Sequence, residues 1–169
     1  YKYKAMYTRN NTSVSYGTSK DDIYRLAFGT EENELFDISK LDMFEKFKDN
    51  DRIQFYSLQK EDIFDGVNKY PEMVDLSEDL ETFDDTASIV KNLDMLITVD
   101  TSILHIAGAI GGVDTIALLP YCPDWRWFDC SSNTDWYSSV RLIKQQGRQD
   151  WFIEVDKVIE ILQEKLSSL

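Results

Sequence analysis

At 169 residues the chain is long enough to bury a full core and too short for two complete domains, so a single domain over 1–169 is expected. An apolar share of 43% with 13% aromatics excludes an intrinsically disordered chain. The 31 acidic against 18 basic residues, a net charge of −13, repel nucleic acid and anionic membranes, so no nucleic-acid partner is expected and any phosphate ligand must be held locally.

No window approaches the roughly 20 apolar residues of a membrane span, and the opening YKYKAMYTRN lacks the apolar centre of a signal peptide. A soluble, cytoplasmic domain is the expectation. Two cysteines, Cys122 and Cys130, with a single histidine cannot furnish the usual four-ligand zinc site, and no metal is expected. Reduced thiols are the first reading of the pair and a disulfide the second.

Residues 1–50 are poorly patterned. Lys2–Tyr7 alternates as a strand does, the polar run TRNNTSVSYGTSKDD reads as loop, and a short amphipathic piece surrounds Ile23–Phe28. Leu41–Phe47 suits a short helix. Residues 51–169 are patterned more clearly: Ile53–Leu58 has the β-branched and aromatic character of a buried strand, and Met73–Leu76 reads as another. Asp84 or Asp85 can cap a helix whose Thr86, Ile89, Val90 and Leu93 recur at helical spacing.

Met95–Val99 then reads as strand, Ser102–Ile110 as helix ended by Gly111-Gly112, Thr115–Leu119 as strand closed by Pro120, and Val140–Ile143 as strand. From an Asp150 cap, Trp151, Val155, Val158, Ile159, Leu162 and Leu166 trace one face of a closing helix, with Glu154 near the positive end of its dipole. Short strands alternating with helices call for a parallel sheet covered on both faces, because parallel neighbours need crossover connections. The expected fold is α/β, a Rossmann-like three-layer sandwich with a parallel sheet of about six strands.

In such sheets ligands sit beyond the carboxyl ends of the strands. The turn leaving Met95–Val99 reads Asp100-Thr101-Ser102 and opens a helix, whose unpaired N–H groups and about half a positive charge suit a diphosphate. Thr101 and Ser102 add hydroxyl donors. At about 100° per residue, Ile103, Ile106, Ala107 and Ile110 share one face, and Thr101, His105 and Gly108 lie nearly opposite. The same residues also suit an ordinary helix cap and a surface histidine.

Residues 83–127 closely resemble a segment of bacterial tetratricopeptide-associated glycosyltransferases and, more distantly, lipopolysaccharide heptosyltransferases. The matching pieces are Asp84-Asp85-Thr86-Ala87, Asp94, Val99-Asp100-Thr101, His105-Ile106-Ala107-Gly108-Ala109, Leu118-Leu119-Pro120 and Pro123-Asp124-Trp125-Arg126-Trp127. The likeness extends to Tyr56-Ser57-Leu58-Gln59-Lys60, Trp136-Tyr137, Val140-Arg141-Leu142 and Asp150-Trp151. It departs at the first strand, where the family carries a Trp-x-Gly-Asn-Pro turn and the corresponding region here reads Ala5-Met6-Tyr7-Thr8-Arg9-Asn10-Asn11.

In that family this domain is the C-terminal lobe of a GT-B enzyme, which clasps a nucleotide-diphosphate sugar between two lobes, transfers the sugar with inversion and typically needs no metal or other cofactor. The resemblance implies that Asp100, Thr101 and Ser102 meet the donor phosphates or sugar, that His105 supports them, and that Gln59 and Lys60 approach the nucleotide or diphosphate. A lysine there offsets charge on the leaving nucleotide; an ordinary exposed lysine is the alternative. The general base stays unassigned, with Asp100 a weak catalytic candidate.

The family's N-terminal lobe, which binds the acceptor, has no room here, so a second lobe or partner chain is expected. Asp49-Asn50-Asp51 matches an Asp-x-Asp metal signature but lies before a strand, where a solvated turn is the better reading. The Pro123–Trp127 run can stack on a base or sugar ring or simply pack its loop, and of it only Arg126 joins the substrate-binding candidates. The expected function is donor binding within a glycosyltransferase. A non-catalytic binding or scaffolding module is the first alternative and a fragment of a nucleotide-sugar epimerase the second.

Overall fold

The computed structural model describes residues 5–9, 12–16, 24–29, 47, 49–58, 73–127, 132–147 and 151–168, the first three stretches by backbone pairing alone. Its strands in chain order are β1 (Ala5–Arg9), β2 (Thr12–Tyr16), β3 (Tyr24–Gly29), β4 (Ile53–Ser57), β5 (Val74–Asp75), β6 (Met95–Val99), β7 (Asp114–Leu119) and β8 (Val140–Lys144). The helices are α1 (Phe83–Val90), α2 (Ser102–Ile110) and α3 (Phe152–Ser167), and single 3₁₀ turns cover Ser77–Asp79 and Trp125–Trp127.

The fold is α/β with a parallel sheet, as the alternating pattern implies. Strands β3 to β8 pair in the order β5-β4-β3-β6-β7-β8, every neighbour parallel. Side chains are described for two groups, β4 with β5 and β6 with β7 and β8; the β3 backbone joins them through Phe28 opposite both Ser57 and Ile97. The order runs leftward from β3 to β5 and then resumes on the other side of β3, so it reverses between β3 and β6. In open parallel sheets, the carboxyl ends of the two strands flanking such a reversal are where ligands bind.

Period-two alternation sends successive side chains to opposite faces. On one face Ile53, Phe55, Met95, Ile97, Ile116, Leu118 and Ile143 meet Val155, Val158, Ile159, Leu162 and Leu166 of α3. On the other, Tyr56 and Leu96 pack with Ile89, Val90, Ile103 and Ala107 of α1 and α2, while Ala117, Leu119, Val140 and Leu142 surround Leu104 and Trp127. Each fully buried aliphatic side chain contributes about 1.5–3 kcal/mol, so the two-sided burial carries most of the stabilisation. The outer edge of β8 is covered in turn, where the Leu142 N–H donates to the Ser132 carbonyl at 2.8 Å and Asn133 bridges Arg141.

Four expectations are corrected. The polar run read as loop contains β2, which pairs antiparallel with β1, so Ala5–Arg9 belongs to a separate hairpin and not to the parallel sheet. The piece around Ile23–Phe28, read as amphipathic, supplies the strand β3 between β4 and β6. Helix α1 is capped by Thr82 rather than by Asp84 or Asp85: the Thr82 hydroxyl accepts from the Asp85 N–H at 3.2 Å, and the Asp85 carboxylate accepts from the Thr82 N–H at 2.9 Å.

The fourth concerns α3, which starts from Trp151 without a side-chain cap, one residue beyond the expected Asp150. Glu154 in its first turn is not a surface charge: it is 1% exposed and accepts the Gln146 N–H at 3.0 Å. The expected helix at 41–47 lies outside the described residues except for the buried Phe47. Asp49 and Asp51 are exposed in a turn, and Asn50 accepts the Arg52 N–H through its side chain.

Candidate functional site

Strand β6 is apolar and buried from Met95 to Ile97, and Thr98 at its end is fully buried. The chain leaves the sheet at Val99-Asp100 and enters α2 through Thr101, whose extended backbone (φ −134°, ψ 174°) is that of an N-cap. Thr101 is the residue type that caps helices, yet it makes no side-chain cap bond. It is buried, and its hydroxyl lies 3.4 Å from that of Thr98. The first turn of α2 carries no acidic residue, and Ser102 is exposed at its start.

Of the other two helices, α1 closes its positive end with Asp85 in the capping box, and α3 carries Glu154 in its first turn without a side-chain cap. Helix α2 has neither a side-chain cap nor an acid in its first turn, and the carboxylate that precedes its N-cap, Asp100, is turned to Trp127 and His105, so its first N–H groups carry no side-chain acceptor where the helix meets β6. The Leu104 N–H turns back to the Thr101 carbonyl at 3.1 Å, tightening the turn without filling it. Gly111 and Gly112 adopt positive φ at the far end of the helix, a conformation that stops it there.

Beside this turn four side chains interlock. One Asp100 oxygen accepts the Trp127 indole N–H at 2.7 Å, and the other lies 3.6 Å from His105 Nε2. The His105 Nδ1 is 3.0 Å from the Tyr137 hydroxyl, its ring stacks on Trp127 with centroids 5.7 Å apart, and Tyr137 meets it edge-on at 5.9 Å. Trp127 is fully buried, so its indole N–H needs a partner, and Asp100 supplies one. Tyr137 fits because residue 108 is glycine: a Cβ there would sit 2.4 Å from the tyrosine ring.

The sequence-predicted residues thus fall into three groups. Asp100, Thr101, Ser102 and His105 come together at the start of α2. Arg126 stands nearby on the Trp125–Trp127 turn, exposed, bonded through its guanidinium to Asp124 at 2.7 Å and lying 5.3 Å over the Trp125 ring. Gln59 and Lys60 lie outside the described residues. The α2 face expected to be polar is partly covered: Leu104 beside His105 is fully buried, and Ile106 on the expected apolar face is only half-buried.

Sequence reasoning missed the roles of Trp127 and Tyr137, although both stand within motifs it singled out. Neither is near Asp100 or His105 in sequence, so no local signal tied them to the turn. Chemically, the arrangement offers N–H donors to an anion while both oxygens of the adjacent aspartate face other side chains. Among the described residues there is no cluster of three His, Cys, Asp or Glu side chains, and no helix is long and apolar enough to cross a membrane.

No protein-family description, curated protein or solved structure matches the chain. The glycosyltransferase resemblance therefore rests on the residues and motifs that carry it.

Proposed function

We propose that the chain is a Rossmann-like, GT-B-type lobe that binds the nucleotide-diphosphate-sugar donor of a glycosyltransferase. The observation that carries this reading is the uncapped start of α2 at the carboxyl end of β6, beside the reversal in strand order, on the segment Val99–His105. Backbone N–H groups there, with the Ser102 hydroxyl, hold the diphosphate and stabilise charge on the departing nucleotide. Trp127 and His105 engage the Asp100 carboxylate, which limits its repulsion of the phosphates. Transfer proceeds with inversion and without metal, and a second lobe or partner chain supplies the acceptor and the general base.

The test is calorimetric titration of the chain with UDP, GDP and ADP, beside a Ser102→Asp variant, which sets a carboxylate against the α2 N–H groups, verified by circular dichroism. Saturable binding of one nucleotide that the variant loses supports the reading and names the donor class. Absence of binding up to about millimolar nucleotide, the weak end of ordinary ligand affinity, contradicts it.

One observation favours a second reading, a non-catalytic binding module. Asp100 and His105, the side chains best suited to acid–base work, are engaged with each other, Trp127 and Tyr137. That reading predicts that nucleotide sugar is never consumed, even beside a complementary lobe and an acceptor.

A further inference from the structure

Large apolar side chains are exposed at six described positions, and three of them, Tyr121, Trp125 and Trp136, belong to the one connection between β7 and β8. Single exposed apolar residues are ordinary, whereas a cluster marks a contact surface. Two of these rings are fixed despite their exposure. Trp125 is 61% exposed with the Arg126 guanidinium over its ring, and Trp136 is 59% exposed with its indole N–H donating to the Arg126 carbonyl at 3.2 Å.

Polar groups of both kinds stand beside the rings. Asp124 Oδ1 accepts both the Arg126 N–H at 3.0 Å and its guanidinium at 2.7 Å. Among the described residues, Asp124 Oδ2 and the remaining guanidinium N–H donors have no partner. Asp124 and Arg126 cancel in charge, which removes the attraction a phosphate would need. A ring with a C–H face to lay on an indole and hydroxyls to divide between a carboxylate and a guanidinium meets every group present.

We propose that Trp125, Asp124, Arg126 and Trp136 form a binding shelf for a neutral saccharide ring, distinct from the phosphate-binding start of α2. The indoles supply the apolar platform, Asp124 accepts from the sugar hydroxyls, and Arg126 donates to them. Both rings are held by contacts within their own connection, which lowers the side-chain entropy lost on binding. The shelf goes beyond donor recognition and stands without it: the ligand is a glycan, free or carried on an acceptor.

The test is saturation-transfer NMR of the whole chain with maltohexaose, cellohexaose and chitohexaose, with Trp125→Ala, Trp136→Ala and Trp125→Tyr variants verified by circular dichroism. The expected result is saturable binding of at least one oligosaccharide, weakened about tenfold by each alanine and largely kept by the tyrosine. No binding of any of the three at about 10 mM, or binding that both alanine variants retain, overturns the proposal. So does sedimentation showing a self-associated chain that Trp125→Ala disperses. UDP, GDP and ADP titrated against the same samples separate the two readings: loss of nucleotide binding in Trp125→Ala makes the shelf a wall of the donor site and overturns its independence, whereas absence of nucleotide binding in every sample counts only against the donor reading.

Discussion

Helices α1 and α2 begin with the same residue type and finish the job differently. Thr82 caps α1 through a reciprocal box with Asp85, which satisfies N–H groups and places a carboxylate on the positive dipole end. Thr101 opens α2 with its hydroxyl near Thr98, no cap bond and no acid in the first turn. In a chain of net charge −13, a helix start with no acid in its first turn, whose preceding carboxylate Asp100 is held by Trp127, is the local feature that anion binding requires. The difference teaches that the residue type at a cap does not say whether the helix end is closed; the side-chain partner does.

The comparison breaks most forcefully at Trp127. Its replacement by alanine empties a fully buried site between α2, β7 and β8 and removes the donor on Asp100. A loss of about 3–5 kcal/mol in urea denaturation is expected. The milder Trp127→Phe keeps most of the buried ring but leaves the Asp100 carboxylate without its indole partner. It is expected to weaken nucleotide binding by more than its modest cost in stability, because a released carboxylate competes for the α2 N–H groups.

Smaller effects sharpen the contrast between the two threonines. Thr82→Ala removes the capping box and is expected to cost about 1 kcal/mol in thermal unfolding, with nucleotide affinity unchanged. Thr101→Val keeps the buried volume and loses a hydroxyl that caps nothing, so its stability cost is expected to be below that of Thr82→Ala. Equal costs would mean that the Thr101 hydroxyl, through Thr98 or the helix start, contributes as much as the capping box.

Much of this architecture was legible in the amino-acid pattern. Met95–Val99 is a short apolar run bounded by turn residues, as a strand buried on both faces should be, and the α3 stripe from Val155 to Leu166 carries a clear period of about 3.6. Thr12–Tyr16 was not legible, because its alternation rests on Val14 and Tyr16 alone, too little within a polar run to separate a strand from a loop. Tyr24–Gly29 is too short for its period to separate a strand from a helical turn. The Thr82-x-x-Asp85 box was readable as such but was overshadowed by the acidic pair Asp84-Asp85, which contains its own second member. In the site, Asp100 to His105 are neighbours in sequence and could be grouped on sight, whereas Trp127 and Tyr137 join them only through tertiary packing.

The most direct test of the account places a carboxylate where α2 lacks one. Ser102→Asp puts an acid in the exposed first turn, and the account predicts a gain of about 0.3–1 kcal/mol in stability together with loss of UDP, GDP or ADP binding in calorimetric titration. A Ser102→Asp variant that is no less stable and binds its nucleotide as tightly as the unmodified chain would contradict the central claim that the start of α2 holds the diphosphate.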